Sequence, residues 1–373
     1  MHLDELLTGL AQHKGSDLYF TAESPPLYRV DGATVPAFHH VLEAADVESI
    51  IREVLSPAEQ AEFDRTRELN VARMVSGVGR FRLNVFRQRG QVGLVARIIP
   101  IEFPNAEQLG LPGGLCELIM QKRGLILVTG ATGSGKSTTL AALIDHRNLH
   151  SRGHILTIED PIEFVHPHKG CVVTQREVGV DTASFAAGLK SALRQAPDVI
   201  LIGEMRDLET VEAALHFSET GHLVLGTLHA NNANQAVERV MNFFPQESHA
   251  QIYQQLALNL RGIVSQRLVV KADGKGRVAA IEVMLNSPRI ADLIGKGEVA
   301  SLKSAIEANS QDGSRSFDLA LHELHRQGLI TLEEALRQAD SANNLRLRIK
   351  MEGAGGAPEA RPQFSLKSDE KAA

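Results

Sequence analysis

One stretch limits this chain more than any other. Gly130-Ala131-Thr132-Gly133-Ser134-Gly135-Lys136-Ser137 fits G-x-x-x-x-G-K-[ST] in full. The apolar run Leu125-Ile126-Leu127-Val128 leads into it, and Ser137-Thr138-Thr139-Leu140-Ala141-Ala142-Leu143-Ile144 can form a helix behind it. Glycines let the backbone turn its amides inward around phosphate oxygens, and the helix N-terminus adds its positive end. The expected nucleotide contacts are Gly130, Thr132, Gly133, Ser134, Gly135, Lys136, Ser137 and Thr138. Lys136 is expected at the β- and γ-phosphates and the Ser137 hydroxyl on Mg²⁺, so ATP and Mg²⁺ are the expected cofactors. An accidental Gly-rich turn is the competing reading; the strand before and the helix after argue against it.

Strand-like runs at 124–129, 154–159, 198–203 and 222–228 alternate with helical segments near 136–149, 184–195, 207–219 and 233–243. Apolar strands alternating with helices predict βαβ units, hence an α/β fold with a parallel sheet. Residues 1–100 read as a small α+β domain. There Arg80, Arg82 and Asn84 alternate with Phe81, Leu83 and Val85 on one strand, and Ser56-Pro57-Ala58-Glu59 reads as a capping box. Residues 101–113 carry two prolines and two glycines and read as an interdomain linker. A core domain is expected over 114–345, with residues 246–345 mainly helical and a second capping box at Thr331-Leu332-Glu333-Glu334. A flexible tail is expected over 346–373.

Composition matters mainly for what it excludes. Cys116 and Cys171 are the only cysteines, too few for a disulfide framework or a four-cysteine zinc module. A formal net charge of −6 argues against bulk attraction to nucleic acid, and none is expected as a partner. Met1-His2-Leu3-Asp4-Glu5 shows no basic segment before an apolar run, and apolar runs are strand-length. A cytoplasmic protein is expected, with any membrane link made through a partner.

Hydrolysis needs an acid near the metal and a group that orients water. Ile158-Glu159-Asp160-Pro161-Ile162-Glu163 puts three carboxylates after a strand, where ligands of parallel sheets gather. Val199-Ile200-Leu201-Ile202-Gly203-Glu204 is an apolar strand ending in an acid. Glu159, Asp160 and Glu204 are therefore candidate metal ligands, with Glu204 also placed to polarise water. A solvated loop or helix cap is the plainer alternative for each. His222 and His229 bracket the run Leu223-Val224-Leu225-Gly226-Thr227-Leu228. Either could donate to a γ-phosphate, although a core or capping histidine is the simpler reading. Arg82 and Arg97 lie on strand-like segments of the first domain, where a solvated strand face is the simplest reading.

These motifs together resemble the secretion ATPases that power type IV pili and type II secretion, and within them the retraction-type PilT/PilU family. The resemblance runs through Gly15-Ser16-Asp17-Leu18, Pro25-Pro26, Arg29-Val30-Asp31-Gly32, Gly79-Arg80-Phe81-Arg82, the P-loop, Thr157 to Phe164, Gly203-Glu204-Met205-Arg206-Asp207 and Thr220 to His229. It implies a RecA-like P-loop ATPase core behind an N-terminal PAS-like α+β domain, working as a homo-hexamer with ATP between the two domains. It implies that Glu163 is the catalytic glutamate, that Arg82 and Arg97 reach the phosphates, and that His222 and His229 are His-box residues. The implied partners are a PilT-like retraction ATPase and an inner-membrane pilus platform protein. Two departures stand out. Ala131 replaces a frequent proline, and Arg289-Ile290-Ala291-Asp292-Leu293-Ile294 replaces the usual Ala-Ile-Arg-Asn-Leu-Ile. The tail through Asn344-Leu345-Arg346-Leu347-Arg348-Ile349-Lys350 is similar to accessory, PilU-type members. An assembly or type II secretion ATPase, a non-hydrolysing nucleotide-dependent adaptor and a nucleic-acid translocase are the competing functions.

Overall fold

The computed structural model describes residues 2–308 and 313–354. The first hundred residues form a six-stranded antiparallel sheet of β1 (Asp17–Thr21), β2 (Leu27–Val30), β3 (Ala33–Pro36), β4 (Glu68–Val75), β5 (Gly79–Gln88) and β6 (Gln91–Ile99). Its order is β3-β2-β1-β6-β5-β4. Helices α1 (Leu3–Gln12), α2 (Ala44–Val54) and α3 (Pro57–Thr66) accompany it. Leu3, Leu6, Leu7 and Leu10 give α1 one apolar stripe, which packs into a core with Phe20, Ile51, Phe81 and Leu83. The capping box at Ser56 forms: Glu59 N–H donates to Ser56 Oγ, and Ser56 N–H donates to Glu59 Oε2 at 2.7 Å. On β5 the alternation holds. Phe81, Leu83 and Val85 are buried, while Arg80, Arg82 and Asn84 occupy the other face.

A second sheet of seven strands follows, preceded by α4 (Gly114–Ile119). Its strands are β7 (Gly124–Thr129), β8 (Gly153–Glu159), β9 (Cys171–Glu177), β10 (Val199–Ile202), β11 (Leu223–Leu228), β12 (Leu260–Val270) and β13 (Arg277–Leu285), in the order β13-β12-β7-β11-β10-β8-β9. Only the β12–β13 pairing is antiparallel. Helices α5 (Lys136–His150), α6 (Phe185–Ala192), α7 (Leu208–Glu219), α8 (Ala233–Met241) and α9 (His249–Asn259) link the strands. Every residue of β7, β10 and β11 is buried, as strands covered on both faces require. Helices α10 (Pro288–Gly295), α11 (Leu302–Ala308), α12 (Phe317–Arg326), α13 (Leu332–Gln338) and α14 (Ala342–Ala354) complete the described chain.

Three expectations need correction. Residues 246–345 hold more than helices: 260–270 and 277–285 form the long hairpin β12–β13 at the sheet edge, with helices before and after it. The expected flexible tail starts too early. Residues up to Ala354 continue α14, with Leu345 buried and Ile349 packed against the α12–α13 cluster, and residues 355–373 lie outside the described residues. At Thr331 half a capping box forms. Thr331 accepts from Glu334 N–H, while the Glu334 carboxylate turns to Arg337 and Gln338.

Between β6 and α4 the chain runs without a regular element. It is nevertheless attached to the second sheet. Val165 N–H donates to the Pro100 carbonyl at 3.1 Å, and the Phe103 ring meets Phe164 and His166 edge-on.

Candidate functional site

The turn after β7 needs its glycines. Gly130, Gly133 and Gly135 have φ of 152°, 74° and 90°, a region costly for a side chain. A Cβ on Gly130 would strike Ser134 Oγ, and one on Gly135 would come within 2.7 Å of Gln266 Nε2. The backbone therefore curls tightly into the N-terminus of α5. Lys136 Nζ donates to the carbonyls of Gly130 at 2.9 Å and Ala131 at 3.0 Å, bracing the loop from inside. Burial pushes the Lys136 ammonium below the usual lysine range, against the pull of the Glu204 carboxylate. A half-buried cation held by carbonyls is a receptor for an anion.

A cleft of about 660 Å³ opens over this loop. Thr132, Gly133, Gly135, Lys136, Ser137 and Thr138 line it from the P-loop side. Gly130 and Ser134 face a smaller hollow behind the loop, and Ser134 Oγ is buried with no partner among the described residues. Opposite stand Glu159, Asp160, Glu163, Glu204 and His229, from loops at the carboxyl ends of β8, β10 and β11. Parallel strands deliver their following loops to one edge, so residues far apart in sequence converge there.

Glu204 is held by two basic side chains. Its carboxylate meets Arg206 at 2.7 Å and His229 Nε2 at 2.9 Å. Burial alone would raise its pKa. The Arg206 hydrogen bond and the charges of Arg206, His229 and Lys136 outweigh burial and hold it below the ordinary glutamate value. Arg206 also reaches Asp160 at 3.3 Å. Glu159 differs. Its Oε1 accepts from Thr157 Oγ1 at 2.6 Å and from Gln175 Nε2 at 3.2 Å, and burial raises its pKa. Glu159 lines the cleft beside Asp160, with one carboxylate oxygen held by Thr157 and Gln175.

The first domain supplies one arginine to this edge and keeps another for itself. Arg82 Nη2 donates to the Ile162 carbonyl at 3.3 Å and lies 3.9 Å from Glu163, whose side chain is half exposed. Arg97 stands directly opposite Arg82 in the β5–β6 register. Its guanidinium is taken by Asp17 at 2.7 Å and it feels the Glu163 charge; neither arginine is among the residues lining the cleft. His222 is misplaced by the sequence reading. It precedes β11 at the strand's amino end, about 20 Å along the strand from His229. There its Nδ1 sits 3.2 Å from the Phe217 carbonyl, at the end of α7, and its ring packs against Phe217.

Several lining residues were not singled out in the sequence. Arg206 lies two residues past Glu204, and Leu268 and Arg277 arrive from the unexpected β12–β13 hairpin. His166 is buried, with Nδ1 lacking a partner among the described residues, and burial lowers its pKa to about 4. No group of three or more His, Cys, Asp or Glu among the described residues could hold a metal unaided. Ser137 and Glu204 line the cleft with oxygen donors of the kind Mg²⁺ takes.

A RecA-like core with a tight phosphate loop and acids facing it defines a P-loop ATP hydrolase. Comparison with known proteins narrows the class. The family model described as "Type II/IV secretion system protein" matches residues 114–337. The chain is 51% identical over 351 residues to the type IV pilus ATPase PilU of Pseudomonas aeruginosa, covering 94% of this chain and 92% of that protein. It is 44% identical over 344 residues to that organism's pilus retraction ATPase PilT, covering 92% of this chain and 100% of that one. A crystal structure of the pilus retraction motor PilT with bound ADP superposes with a TM-score of 0.86 at 42% identity, covering 93% of this chain and 99% of that chain. The chain belongs to the type II/IV secretion ATPases, in the PilT/PilU retraction ATPase family.

Proposed function

We propose that this chain is a motor subunit that hydrolyses ATP to drive type IV pilus retraction, in the accessory, PilU-type role. The observation that carries the reading is the cleft that gathers the P-loop, Glu163, Glu204 and His229, with Arg82 of the other domain 3.9 Å from the Glu163 carboxylate. Support for the biological setting comes from the PilU and PilT relatives, each matched over more than nine-tenths of this chain.

The proposed chemistry follows from that arrangement. ATP binds with its phosphates on the P-loop amides and Lys136, which exchanges carbonyl partners for phosphate oxygens. Ser137 and Glu204 would hold Mg²⁺, which supplies positive charge at the phosphates. Glu163, exposed at the cleft and free of short hydrogen bonds, takes a proton from the attacking water. The water oxygen bonds to the γ-phosphorus as the bond to the β–γ bridging oxygen breaks, releasing ADP and phosphate. Arg82 moves from the Ile162 carbonyl toward the charge built up in that step. Arg206 and His229 fix the Glu204 carboxylate. Arg97, held by Asp17, acts at longer range on Glu163, and His222 has no part in the chemistry.

The subunit works in a homo-hexamer at the cytoplasmic face of the inner membrane, engaging a pilus platform protein and a PilT-like ATPase. No helix among the described residues is long and apolar enough to cross a membrane, so membrane contact runs through such a partner. Retraction in cells whose only retraction-type ATPase is this chain tests the role. The accessory reading expects pili that do not retract unaided and retract with greater force when a PilT-like ATPase is restored. Full retraction by this chain alone would overturn the accessory role; no influence on retraction in either background would overturn the motor reading.

A further inference from the structure

Two arginines share one face of β5, and the two hold the second domain differently. Arg80 Nη2 lies 3.0 Å from Glu177 Oε2 and 3.9 Å from Asp181 Oδ2. The Glu177 side chain is only 5% exposed and that of Arg80 18%. The acidic turn is held by hydrogen bonds of its own. Asp181 Oδ2 accepts from Glu177 N–H at 2.9 Å, and the Glu177 carbonyl accepts from Val180, Asp181 and Thr182 N–H. Arg82, two residues and about 7 Å along the strand, has much looser attachments. They are a 3.3 Å bond to the Ile162 carbonyl and the 3.9 Å approach to Glu163.

These contacts close a ring. Glu177 ends β9, in register with Glu159 at the end of β8, and Val178 N–H donates to the Glu159 carbonyl at 2.9 Å. Arg80 therefore grips the strand pair from which the loop 160–163 departs, and Arg82 grips that loop's far end. A short, buried, charge-assisted pair in a preformed turn is costly to open; a long, half-exposed one is not.

We propose that Arg80 is a positioning residue. Through Glu177 and Asp181 it pins the N-terminal domain to the edge of the RecA-like sheet, and so sets where Arg82 meets Glu163. Arg80 keeps its partners while Arg82 changes its own. The assignment rests on the ATPase reading above for its kinetic consequence, though its structural consequence can be read without turnover.

The test uses the full chain. Arg80→Ala is expected to lower kcat by about 10- to 100-fold while KM for ATP stays within about threefold, because binding on the P-loop is untouched and geometry at the reacting end is lost. Arg80→Lys, which keeps the charge, is expected to recover part of that loss. Glu177→Gln should mimic Arg80→Ala, and the double variant should be no worse than Arg80→Ala alone. Energy transfer between dyes on the two domains should report a broadened distance distribution in Arg80→Ala and Glu177→Gln, with or without ATP cleavage. If Arg80→Ala does not fold, Arg80→Lys and Glu177→Gln carry both readouts. A folded Arg80→Ala or Glu177→Gln with wild-type kcat and a wild-type distance distribution overturns the proposal. A wild-type protein that binds ATP without cleaving it would overturn the ATPase reading and leave the distance readout intact.

Discussion

The two ends of the parallel sheet carry similar residues and do different things with them. At the carboxyl end, His229 leaves β11 and meets a carboxylate at 2.9 Å, inside a cleft shared with Lys136 and Arg206. At the amino end, His222 enters the same strand and turns to a main-chain carbonyl and the face of Phe217. One histidine joins a polar cluster that can take up a charged ligand, and the other finishes a helix. The difference comes from chain direction. The parallel strands open their following loops at the same edge, so phosphate loop and acids meet there by topology, and helix ends such as that of α7 return to the opposite edge.

The comparison breaks most visibly at the phosphate loop. Lys136→Ala should reduce ATP turnover by about 100-fold or more, measured as phosphate release, because a cation aimed at the transferred group is lost. His229→Ala should cost about tenfold in kcat, since Glu204 keeps Arg206 but loses its second partner. Glu282 sharpens the picture from behind the cleft. It accepts from Ala233 N–H at 2.8 Å, where α8 begins just past His229, and from Ser265 Oγ at 3.1 Å. Burial raises its pKa to about 7 from an ordinary 4.5, with Asp340 adding and Arg267 opposing. Below that ordinary value both folded and unfolded chains hold the proton. Between it and the raised value only the folded chain keeps it, so stability falls as pH rises through that window. Glu282→Gln should remove the decline and gain up to about 3 kcal/mol over wild type at about pH 8, and almost nothing at about pH 4.5, in urea unfolding. The smallest effect is expected at the far end. His222→Ala should leave turnover within about twofold and cost about 1 kcal/mol of stability. Equal ATPase losses for His222→Ala and His229→Ala would dissolve the contrast.

What could be read from the sequence follows the same line. The P-loop is local: its glycines, lysine and flanking strand and helix are contiguous, so the arrangement is written in adjacent residues. The strands β7, β8, β10 and β11 were legible because apolar runs alternate with helices. The hairpin β12–β13 was not, since Arg261, Gly262, Ser265, Gln266 and Arg267 interrupt the apolar residues from Leu260 to Val270 and leave no clean period of two. It also follows α9 directly, with Gly262 inside the strand rather than in a turn before it. Leu268, Arg277 and the support that Gln266 gives Thr139 at 2.7 Å were hidden with it. Arg97 and His222 show the limit of motif transfer, because a residue type at the right place in a motif does not say which partner claims its side chain. Asp17, on a strand eighty residues away, claims Arg97. Arg80 was visible only as one of an alternating set; its distinction from Arg82 lies in Glu177 and Asp181, which no spacing rule connects to β5.

The central claim is that a glutamate facing the P-loop across this cleft activates water for ATP cleavage. Phosphate release by purified Glu163→Gln, beside a direct measurement of ATP binding, tests it most directly. Loss of turnover by about 100-fold or more with ATP binding retained is the predicted result. Turnover at the wild-type rate with the carboxylate gone would contradict it.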